Sequence, residues 1–394
     1  MPDRYDRPAF LCAPVRTPIG KFGGALVDKS APDLGAHAAS ACLERAGIDP
    51  AEVDLTIFGH GRQAGAGPNP SRQIADRAGV PESSPAYTIN QACASSLIGI
   101  VQAAQQIALG DADVVLAGGT ESMSNTPYFL ARARWGYRLG HGELIDGMYR
   151  DGFLCPLCGE LMGATAETLA ERYGISRAEQ DAYAVESQRR YEAARESAVW
   201  ESEIAPFPDL DHDEHPRPTT SVEKMKKLPT VFREDGTVHA GNASGITDGA
   251  AAMVVASGDA VERLGLEPFG RVVDWSNVGV DPAVMGIGPV PAVRTLLERQ
   301  ELDLDAIDRI ELNEAFAAQV LAVASDLDLD LDRTNVNGGA IALGHPIGAT
   351  GARIVVTLLH EMARHESRLG LATLCVSGGM GTSVLVERPS AGGG

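Results

Sequence analysis

Lysine is scarce in this chain, since only 5 of its 33 basic residues are lysine. Against them stand 53 acidic residues, which leaves a formal net charge of −20 at pH 7. Nucleic acids are polyanions, and proteins that bind them present basic surface to the phosphates. The charge balance therefore argues against a nucleic-acid partner. A lysine-poor, acidic composition is typical both of a saline cytosol and of a GC-rich genome, and both origins stay open.

A targeting segment, a long apolar run and a disulfide framework are also missing from the sequence. The first ten residues are polar and charged, unlike a secretory signal peptide. No apolar run approaches the roughly 20 residues that a membrane-spanning helix needs. The six cysteines do not have the spacing of a disulfide-rich extracellular domain. We therefore expect a protein of the reducing cytoplasm without a membrane partner.

Aromatic residues make up only 5% of the chain, whereas glycine occurs 44 times in 394 residues. Few aromatics and many glycines favour tight packing of helices on a sheet over a β-sandwich. A chain of this length is too long for one simple core, so two or three domains are expected.

One order of elements occurs twice along the chain. A turn-rich segment precedes an apolar helix at Ser95–Leu109, and a strand at 114–119 follows and ends in Gly-Gly. A helical stretch at 348–362 and a strand at 371–376 repeat this order near the other end. Apolar strands of this kind are typical of a sheet covered on both faces. The pattern predicts a duplicated α/β unit. The stretch between the halves, at about 123–246, has charged helices such as Arg177–Glu196 and resembles an inserted cap.

Two cysteines and one histidine are set in turn-rich segments. Cys93 directly precedes an apolar helix, whose positive end and free N–H groups are expected to stabilise a thiolate and an oxyanion. His345 lies between Gly344 and Pro346, a restraint that suits a general base. Cys375 ends a strand before two glycines, where backbone N–H groups can point at a ligand. Together they indicate acyl-thioester chemistry, in which one thiol carries an acyl group and the other moves a proton.

Two further segments carry weaker signals. Asn313 follows a short apolar strand and is a candidate for holding a water molecule or donating a hydrogen bond. Cys155 and Cys158 form a single CxxC pair. Zinc sites usually need four ligands and no second pair exists, so we expect loop thiols or a reducible disulfide and no metal site.

Taken together, several long segments resemble the thiolase family, and the resemblance spans nearly the whole chain. The segments that carry it are 16–20 (RTPIG), 67–73 (GPNPSRQ), 241–251 (GNASGITDGAA), 313–317 (NEAFA) and 335–351 (NVNGGAIALGHPIGATG). The resemblance implies an α/β fold of five layers, αβαβα, made of two duplicated halves with an inserted loop domain. It implies residues 1–122 and 247–268 for the first half, 123–246 for the coenzyme A-binding loop domain and 269–394 for the second half. It also implies a homodimer or homotetramer.

The resemblance further implies a role for each residue of the candidate site. Cys93 is the acylated nucleophile, and His345 accepts its proton and helps to hold a thioester oxygen. Cys375 removes a proton from the second acetyl unit, or returns it in thiolysis. Asn313 positions a water molecule in that second oxyanion hole. The backbone N–H groups of Cys93 and Ser377 form the other hole.

Coenzyme A and its thioesters are the implied small-molecule partners, as substrates and not as a permanently bound cofactor. By resemblance, the residues expected to contact them are Arg217, Phe232, Ser244, Lys227, Ala315, Phe316 and Met162. Lys224, Lys226 and Lys227 form the only lysine cluster in the chain, and phosphates of coenzyme A are the ligand we expect for it. A solubilising loop is the alternative.

Three positions depart from the family pattern. Ser377 and Ser96 stand where glycine is usual, and serine resists some of the backbone conformations that glycine adopts. Leu161 stands where acetoacetyl-specific thiolases often carry histidine, which weakens an expectation of strict short-chain specificity.

Two other functions compete with thiolysis. A decarboxylating ketoacyl synthase would share the look of the segment at 93–96, but it needs no second thiol, so Cys375 argues against it. A non-catalytic subunit that binds acyl-CoA would lack one of Cys93, His345 and Cys375, and all three are present.

Overall fold

The computed structural model describes residues 6–389. Within that range the strands are β1 (Ala9–Arg16), β2 (Gly20–Lys21), β3 (Leu55–Gly59), β4 (Ala86–Ile89), β5 (Val114–Ser122), β6 (Tyr128–Phe129), β7 (Ile145–Asp146), β8 (Thr247–Ser257), β9 (Pro268–Gly279), β10 (Arg309–Leu312), β11 (Leu369–Val376) and β12 (Met380–Glu387). The α-helices are α1 (Ala31–Ala46), α2 (Pro70–Arg77), α3 (Ser95–Leu109), α4 (Met162–Tyr173), α5 (Arg177–Glu196), α6 (Val222–Met225), α7 (Gly258–Leu264), α8 (Pro289–Gln300), α9 (Ala317–Leu327), α10 (Ala340–Leu343) and α11 (Ile347–Arg364).

Local sequence sets the helix boundaries, as α1 illustrates. The Ser30 hydroxyl accepts a hydrogen bond from the Asp33 backbone N–H, and the Asp33 carboxylate accepts one from the Ser30 N–H, which is a capping box. Pro32 fits the first turn, where an N–H has no helical partner. Gly47 ends the helix with φ 67°, a left-handed conformation that glycine adopts without a steric penalty.

The described strands form one ten-stranded mixed sheet and a separate two-stranded sheet of β6 and β7. The order across the large sheet is β10-β11-β12-β9-β1-β8-β5-β3-β4, and β2 pairs with β8 off this path. The two halves meet where β1 and β9 run antiparallel, with Phe10 opposite Arg271 and Leu11 opposite Gly270. The sheet thus joins the two halves edge to edge.

Both halves use the same strand order, which confirms the predicted duplication. The five main strands of the first half are, in chain order, β1, β3, β4, β5 and β8. Across the sheet they lie in the order β4-β3-β5-β8-β1, which is third, second, fourth, fifth, first. In the second half, β10-β11-β12-β9 repeats the second, fourth, fifth and first positions. An isolated parallel bridge between Ile310 and Thr334 occupies the remaining third position beside β10.

The two halves of the large sheet form the two β layers, and with the helices they make the five-layer order αβαβα. Helices α3 and α11 pack on each other between the halves and contact strands of both. The core cluster there joins Ile100 of α3 and Val355 of α11 to Leu374 of β11. Helices α1 and α2 cover the outer face of the first half, and α8 covers that of the second. The site residues are carried by the inner layer and by the strand ends next to it.

Helix α3 departs from one sequence expectation. The run Ala92–Leu109 is 18 residues long and apolar enough to cross a membrane by length and composition. The expectation that no apolar run approaches that length was therefore wrong. Of this run, 61% is buried inside the protein, where it packs against α11 and the sheet. The run is apolar because it packs in the central helix layer, between strands of both halves.

The chain between β5 and β8 holds β6, β7 and helices α4 to α6, together with long loops. Helix α5 has the bounds Arg177–Glu196 that its charged pattern predicted. Helix α4 packs on α9 of the second half, so this stretch is in contact with the sheet-bearing core. The division of the chain at 122, 246 and 268 stays a prediction.

Candidate active site

The three predicted reactive side chains line one cavity of about 520 Å³. Cys93 comes from the turn before α3, His345 from the turn before α11, and Cys375 from the end of β11. These segments belong to different halves of the fold and meet because α3 and α11 pack on each other. The cavity therefore lies at the junction of the duplicated units.

Cys93 sits in a tight 3-10 turn directly ahead of α3. Ala92 has φ 45°, a left-handed conformation that costs free energy for a residue with a side chain. The Asn90 Oδ1 accepts a hydrogen bond from the Ala92 N–H at 3.0 Å, and the Ser95 hydroxyl donates to the Ala92 carbonyl at 2.6 Å. These bonds hold the strained residue in place and so fix the position of the neighbouring thiol.

The surroundings of Cys93 keep its thiol protonated in the resting protein. Desolvation raises the pKa of Cys93 above its ordinary value. The backbone N–H groups of Ser377 and of Cys93 itself point at the sulfur, and they and the Arg62 guanidinium lower the pKa, while the Glu121 carboxylate raises it. Desolvation outweighs the stabilising contacts. The backbone N–H groups therefore stabilise the thiolate form, as expected for a cysteine before a helix, but burial has the larger effect.

His345 presents one nitrogen to the cavity. The side chain is only 7% exposed, and its Nδ1 lies 2.7 Å from the Thr350 hydroxyl. Its Nε2 is buried without a hydrogen-bond partner. Burial lowers the pKa of His345 to about 3, and the charges of Arg353 and Arg62 act in the same direction. The imidazole is therefore neutral at physiological pH, with Nε2 available to accept a proton.

Cys375 is the more buried of the two reactive thiols, with 1% of its surface exposed. Burial raises the pKa of Cys375 well above its ordinary value, and the neighbouring Cys93 raises it further. The thiol is therefore protonated, and it can donate a proton to a carbanion formed beside it.

The backbone conformation of Ser377 explains how a serine fits where the family pattern usually has glycine. Its backbone is not among the described residues with positive φ, whereas Gly378 and Gly379 have φ 92° and 86°. The left-handed conformations of this turn thus fall on the two glycines and not on the serine. The Ser377 N–H remains directed at the Cys93 sulfur.

Asn313 is placed directly after β10, where it is fully buried. Its backbone N–H donates to the Thr373 carbonyl at 3.0 Å. Neither polar atom of its side-chain amide has a hydrogen-bond partner. Buried amides without partners are costly, so this side chain is suited to a water molecule or substrate oxygen. Asn313 itself is not part of the cavity lining.

The residues expected to contact coenzyme A divide into two groups. Six of the seven line the cavity, namely Arg217, Phe232, Ser244, Ala315, Phe316 and Met162. Lys227 does not line the cavity, and it is exposed to solvent. Lys224 and Lys226 are likewise exposed, and the Lys224 amine donates to the Thr219 carbonyl at 2.5 Å.

Three basic residues of the cavity were not predicted. Arg62 is 5% exposed and lies in a glycine turn after β3, with its guanidinium 5.6 Å from the centre of the Phe153 ring. Lys21 and His215 also line the cavity, and the His215 Nδ1–H donates to the Ala342 carbonyl at 2.7 Å. Because ligands gather at the carboxyl ends of parallel strands, the position of Arg62 after β3 was the available signal.

Cys155 and Cys158 lie in a turn beside this site. Their thiols contact each other, and Cys155 belongs to the same buried apolar cluster as Met162 and Cys375. The Gly159 N–H donates to the Cys155 carbonyl at 2.8 Å, which closes the turn. No group of three or more histidine, cysteine, aspartate or glutamate side chains in the described part of the chain is arranged to hold a metal ion.

Two protonated thiols and a neutral imidazole in one cavity are the groups of an acyltransferase that works through a cysteine thioester. The model of the thiolase N-terminal domain matches residues 10–259, and that of the thiolase C-terminal domain matches residues 266–388. The chain belongs to the thiolase family.

Curated relatives agree with this assignment over almost the full length. The chain is 48% identical over 387 residues to the acetyl-CoA acetyltransferase of Pseudomonas aeruginosa, which covers 96% of this chain and 98% of that protein. The acetyl-CoA acetyltransferase of Escherichia coli gives the same identity and coverage. A probable acetyl-CoA acyltransferase of Staphylococcus aureus is 47% identical over the same length.

Solved structures agree as well. Human mitochondrial 3-ketoacyl-CoA thiolase in complex with CoA superposes with a TM-score of 0.95 at 43% identity, covering 98% of each chain. Bacillus anthracis acetyl-CoA acetyltransferase gives a TM-score of 0.95 at 44% identity, covering 98% of this chain and all of that one. These matches give no support to a decarboxylating synthase or to a non-catalytic subunit.

Proposed function

We propose that this thiolase cleaves 3-ketoacyl-CoA with coenzyme A and, in the reverse direction, joins two acetyl-CoA into acetoacetyl-CoA. The observation that carries the proposal is the meeting of Cys93, Cys375 and the unpaired Nε2 of His345 in one cavity. The names of the similar proteins support it, since they are acetyl-CoA acetyltransferases and 3-ketoacyl-CoA thiolases.

In the first half of the thiolysis reaction, the Cys93 sulfur attacks the keto carbon while Nε2 of His345 accepts the thiol proton. The oxygen of the tetrahedral intermediate takes hydrogen bonds from the N–H groups of Cys93 and Ser377, which already point at the sulfur. The bond between C2 and C3 then breaks. The acyl group stays on Cys93, and the enolate of acetyl-CoA leaves.

In the same half-reaction, Cys375 protonates C2 of the enolate. Its raised pKa suits this role because a protonated thiol is needed at that moment. Asn313 holds a water molecule for the enolate oxygen, a role that its unpaired side-chain amide supports. In the second half, the thiol of coenzyme A attacks the acyl group and gives its proton to the Cys375 thiolate. His345 returns its proton to Cys93, which completes the cycle.

Coenzyme A enters through the basic and aromatic part of the cavity in this proposal. Arg217 and Lys21 supply positive charge for its phosphates, and Ser244 supplies a hydroxyl. Phe232 and Phe316 pack edge to face at 6.3 Å and offer an apolar wall to the pantetheine chain. Coenzyme A acts as a substrate, and no cofactor is permanently bound.

The apolar cavity wall supports activity on acyl chains longer than acetyl. Leu161, Met162 and Met285 line the cavity with apolar side chains. Methionine adapts its shape to different contacts, and an apolar wall stabilises additional methylene groups by about 0.8 kcal/mol each when they are buried. We propose that the enzyme takes acetoacetyl-CoA and also longer 3-ketoacyl-CoA.

The test is a thiolysis assay that follows loss of 3-ketoacyl-CoA absorbance with acetoacetyl-CoA and with a longer substrate. Cys93→Ala is expected to remove turnover of both, and the ratio of the two wild-type rates measures chain-length preference. Mass spectrometry of a Cys375→Ala variant incubated with acetyl-CoA is expected to show an acetyl group on Cys93. Wild-type protein without turnover, at low and at high salt, contradicts the proposal.

We also propose a homodimer or homotetramer located in the cytoplasm. Large apolar side chains are exposed on one stretch, with Trp135 at 85%, Leu139 at 98% and Leu144 at 67% exposure. Several large apolar side chains left exposed on one stretch are typical of a protein contact. Light scattering coupled to size-exclusion chromatography tests the oligomer, and a monomer contradicts it. Cell fractionation tests the compartment, and recovery outside the soluble cell extract contradicts it.

A further inference from the structure

Glu121 is a buried carboxylate at the end of β5 that lies outside the cavity lining. Its Oε2 accepts hydrogen bonds from the backbone N–H groups of Gly61 at 3.0 Å and Gly348 at 2.9 Å. Its Oε1 accepts from the Arg62 N–H at 3.1 Å and lies 3.0 Å from the His60 Nε2. One carboxylate thus binds the turn after β3 and the first turn of α11.

The turn after β3 leads from Glu121 to the nucleophile. The carbonyl of Gly61 accepts a hydrogen bond from the Asn90 Nδ2 at 3.1 Å. The Oδ1 of the same amide accepts from the Ala92 N–H at 3.0 Å. Ala92 is the strained residue that precedes Cys93. An unbroken series of bonds therefore connects the carboxylate to the turn that holds the nucleophile.

The other branch leads from Glu121 to the base. Gly348 follows His345 by three residues, at the start of α11. A Cβ at Gly348 would lie 2.6 Å from the Thr120 carbonyl oxygen and 2.7 Å from the His60 Cα, so only glycine allows this approach. The carboxylate thereby holds the His345 turn against the turn after β3.

We propose that Glu121 is a positioning residue that fixes the Cys93 turn and the His345 turn relative to each other. The inference rests on the proposed function, because it concerns the geometry between the nucleophile and its base. Misplacing a reacting group by about 1 Å costs roughly a hundredfold in rate, so a bond network that spans both turns matters to turnover.

The carboxylate is ionised in this position. Burial by itself raises the pKa of Glu121, but the contacts with His60, the Arg62 guanidinium and the Gly348 N–H outweigh it and lower the pKa below its ordinary value. The negative charge also acts on the reacting groups, since it raises the pKa of Cys93 and of His345. Arg62 has the opposite effect on both. Removing the charge of Glu121 must therefore lower the pKa of both groups, which a change in shape without a change in charge does not do.

The test is Glu121→Gln, which keeps the shape but removes the charge and replaces one acceptor oxygen by a donor. We expect thiolysis kcat to fall about 10- to 100-fold, up to the loss caused by misplacing a reacting group by about 1 Å, with KM nearly unchanged. We also expect the pH profile of Cys93 alkylation by iodoacetamide, followed by peptide mass spectrometry, to shift to lower pH.

Glu167→Gln is the matched control. Glu167 is also a buried carboxylate that accepts backbone N–H groups, those of Thr237 and Val238 at 2.8 Å. It has no contact with the Cys93 or His345 turns, so its variant should retain the wild-type alkylation profile. Glu121→Asp keeps the charge and shortens the reach, and we expect it to lower kcat while leaving the alkylation profile in place. Glu121→Asp also serves if Glu121→Gln does not fold.

Three results overturn the inference. They are a Glu121→Gln kcat within twofold of wild type, an equal fall of kcat in Glu167→Gln, and a fall of kcat in Glu121→Gln with an unshifted Cys93 profile. If wild type itself has no thiolase activity, the proposed function fails. The alkylation profiles still decide whether Glu121 acts on Cys93.

Discussion

The Nδ1 of His345 lies 2.7 Å from the Thr350 hydroxyl, which itself donates to the Pro346 carbonyl at 3.0 Å. A threonine hydroxyl has one proton, so the bond to Pro346 leaves Thr350 as the acceptor of the Nδ1–H. The neutral imidazole therefore carries its proton on Nδ1 and has a free electron pair on Nε2, the nitrogen without a partner. Thr350 thus selects the tautomer in which His345 is a base toward the cavity.

Replacing Thr350 by valine tests this selection, because valine has nearly the same shape and no hydroxyl. We expect Thr350→Val to lower thiolysis kcat about tenfold or more, a part of the roughly 100- to 10,000-fold that a positioned general base contributes. Thr350→Ser keeps the hydroxyl and should retain most of the activity. The measurement is kcat for acetoacetyl-CoA thiolysis, and equal rates for the valine and serine variants would contradict the tautomer argument.

His345 should make the protein less stable in acid. Its pKa is about 3 in the folded protein, and an unfolded histidine has a pKa near 6.5. As the pH falls from about 6.5 toward 3, the unfolded chain takes up a proton that the folded site refuses, so the free energy of unfolding decreases in this range. His345→Gln removes this contribution. Urea unfolding at pH 7.5 and pH 5 should show a smaller loss for the variant, and the same loss in both proteins would refute the argument.

Gly163, in α4, leaves room for the ring of Phe232. A Cβ at Gly163 would lie 2.2 Å from that ring, so Gly163→Ala must displace Phe232 from the cavity wall. We expect a higher KM for coenzyme A substrates with a smaller change in kcat, and a loss of about 1–3 kcal/mol in the free energy of unfolding. Gly258→Ala is the control, since the nearest atom there is on Phe10 at 3.7 Å. Matching KM values for the two variants would show that Phe232 does not contact substrate.

The sequence predicted the three reactive side chains that line the cavity, because thiol and imidazole chemistry is tied to residue type and to turns. Cys93, His345 and Cys375 were all predicted, and so was the duplicated α/β fold. Arg62 and Glu121 were not, because an arginine after a strand and a glutamate within one are common, and only the folded chain shows that both are buried beside Cys93. The raised pKa of Cys93 was not predictable, because the burial that outweighs the stabilising N–H groups is a property of packing.

Arg62 should lower the pKa of Cys93, with a sign opposite to that of Glu121. Its guanidinium is held by the Asp151 carbonyl at 3.2 Å and by the Phe153 ring, so it stays near the thiol. Arg62→Met removes the charge and keeps much of the apolar volume, and we expect the pH profile of Cys93 alkylation to shift to higher pH. Arg62→Lys retains a positive charge and should shift it less. Because the charge of Arg62 also lowers the pKa of His345, the methionine variant should raise that pKa at the same time. An unchanged alkylation profile in Arg62→Met would show that desolvation alone sets the reactivity of Cys93.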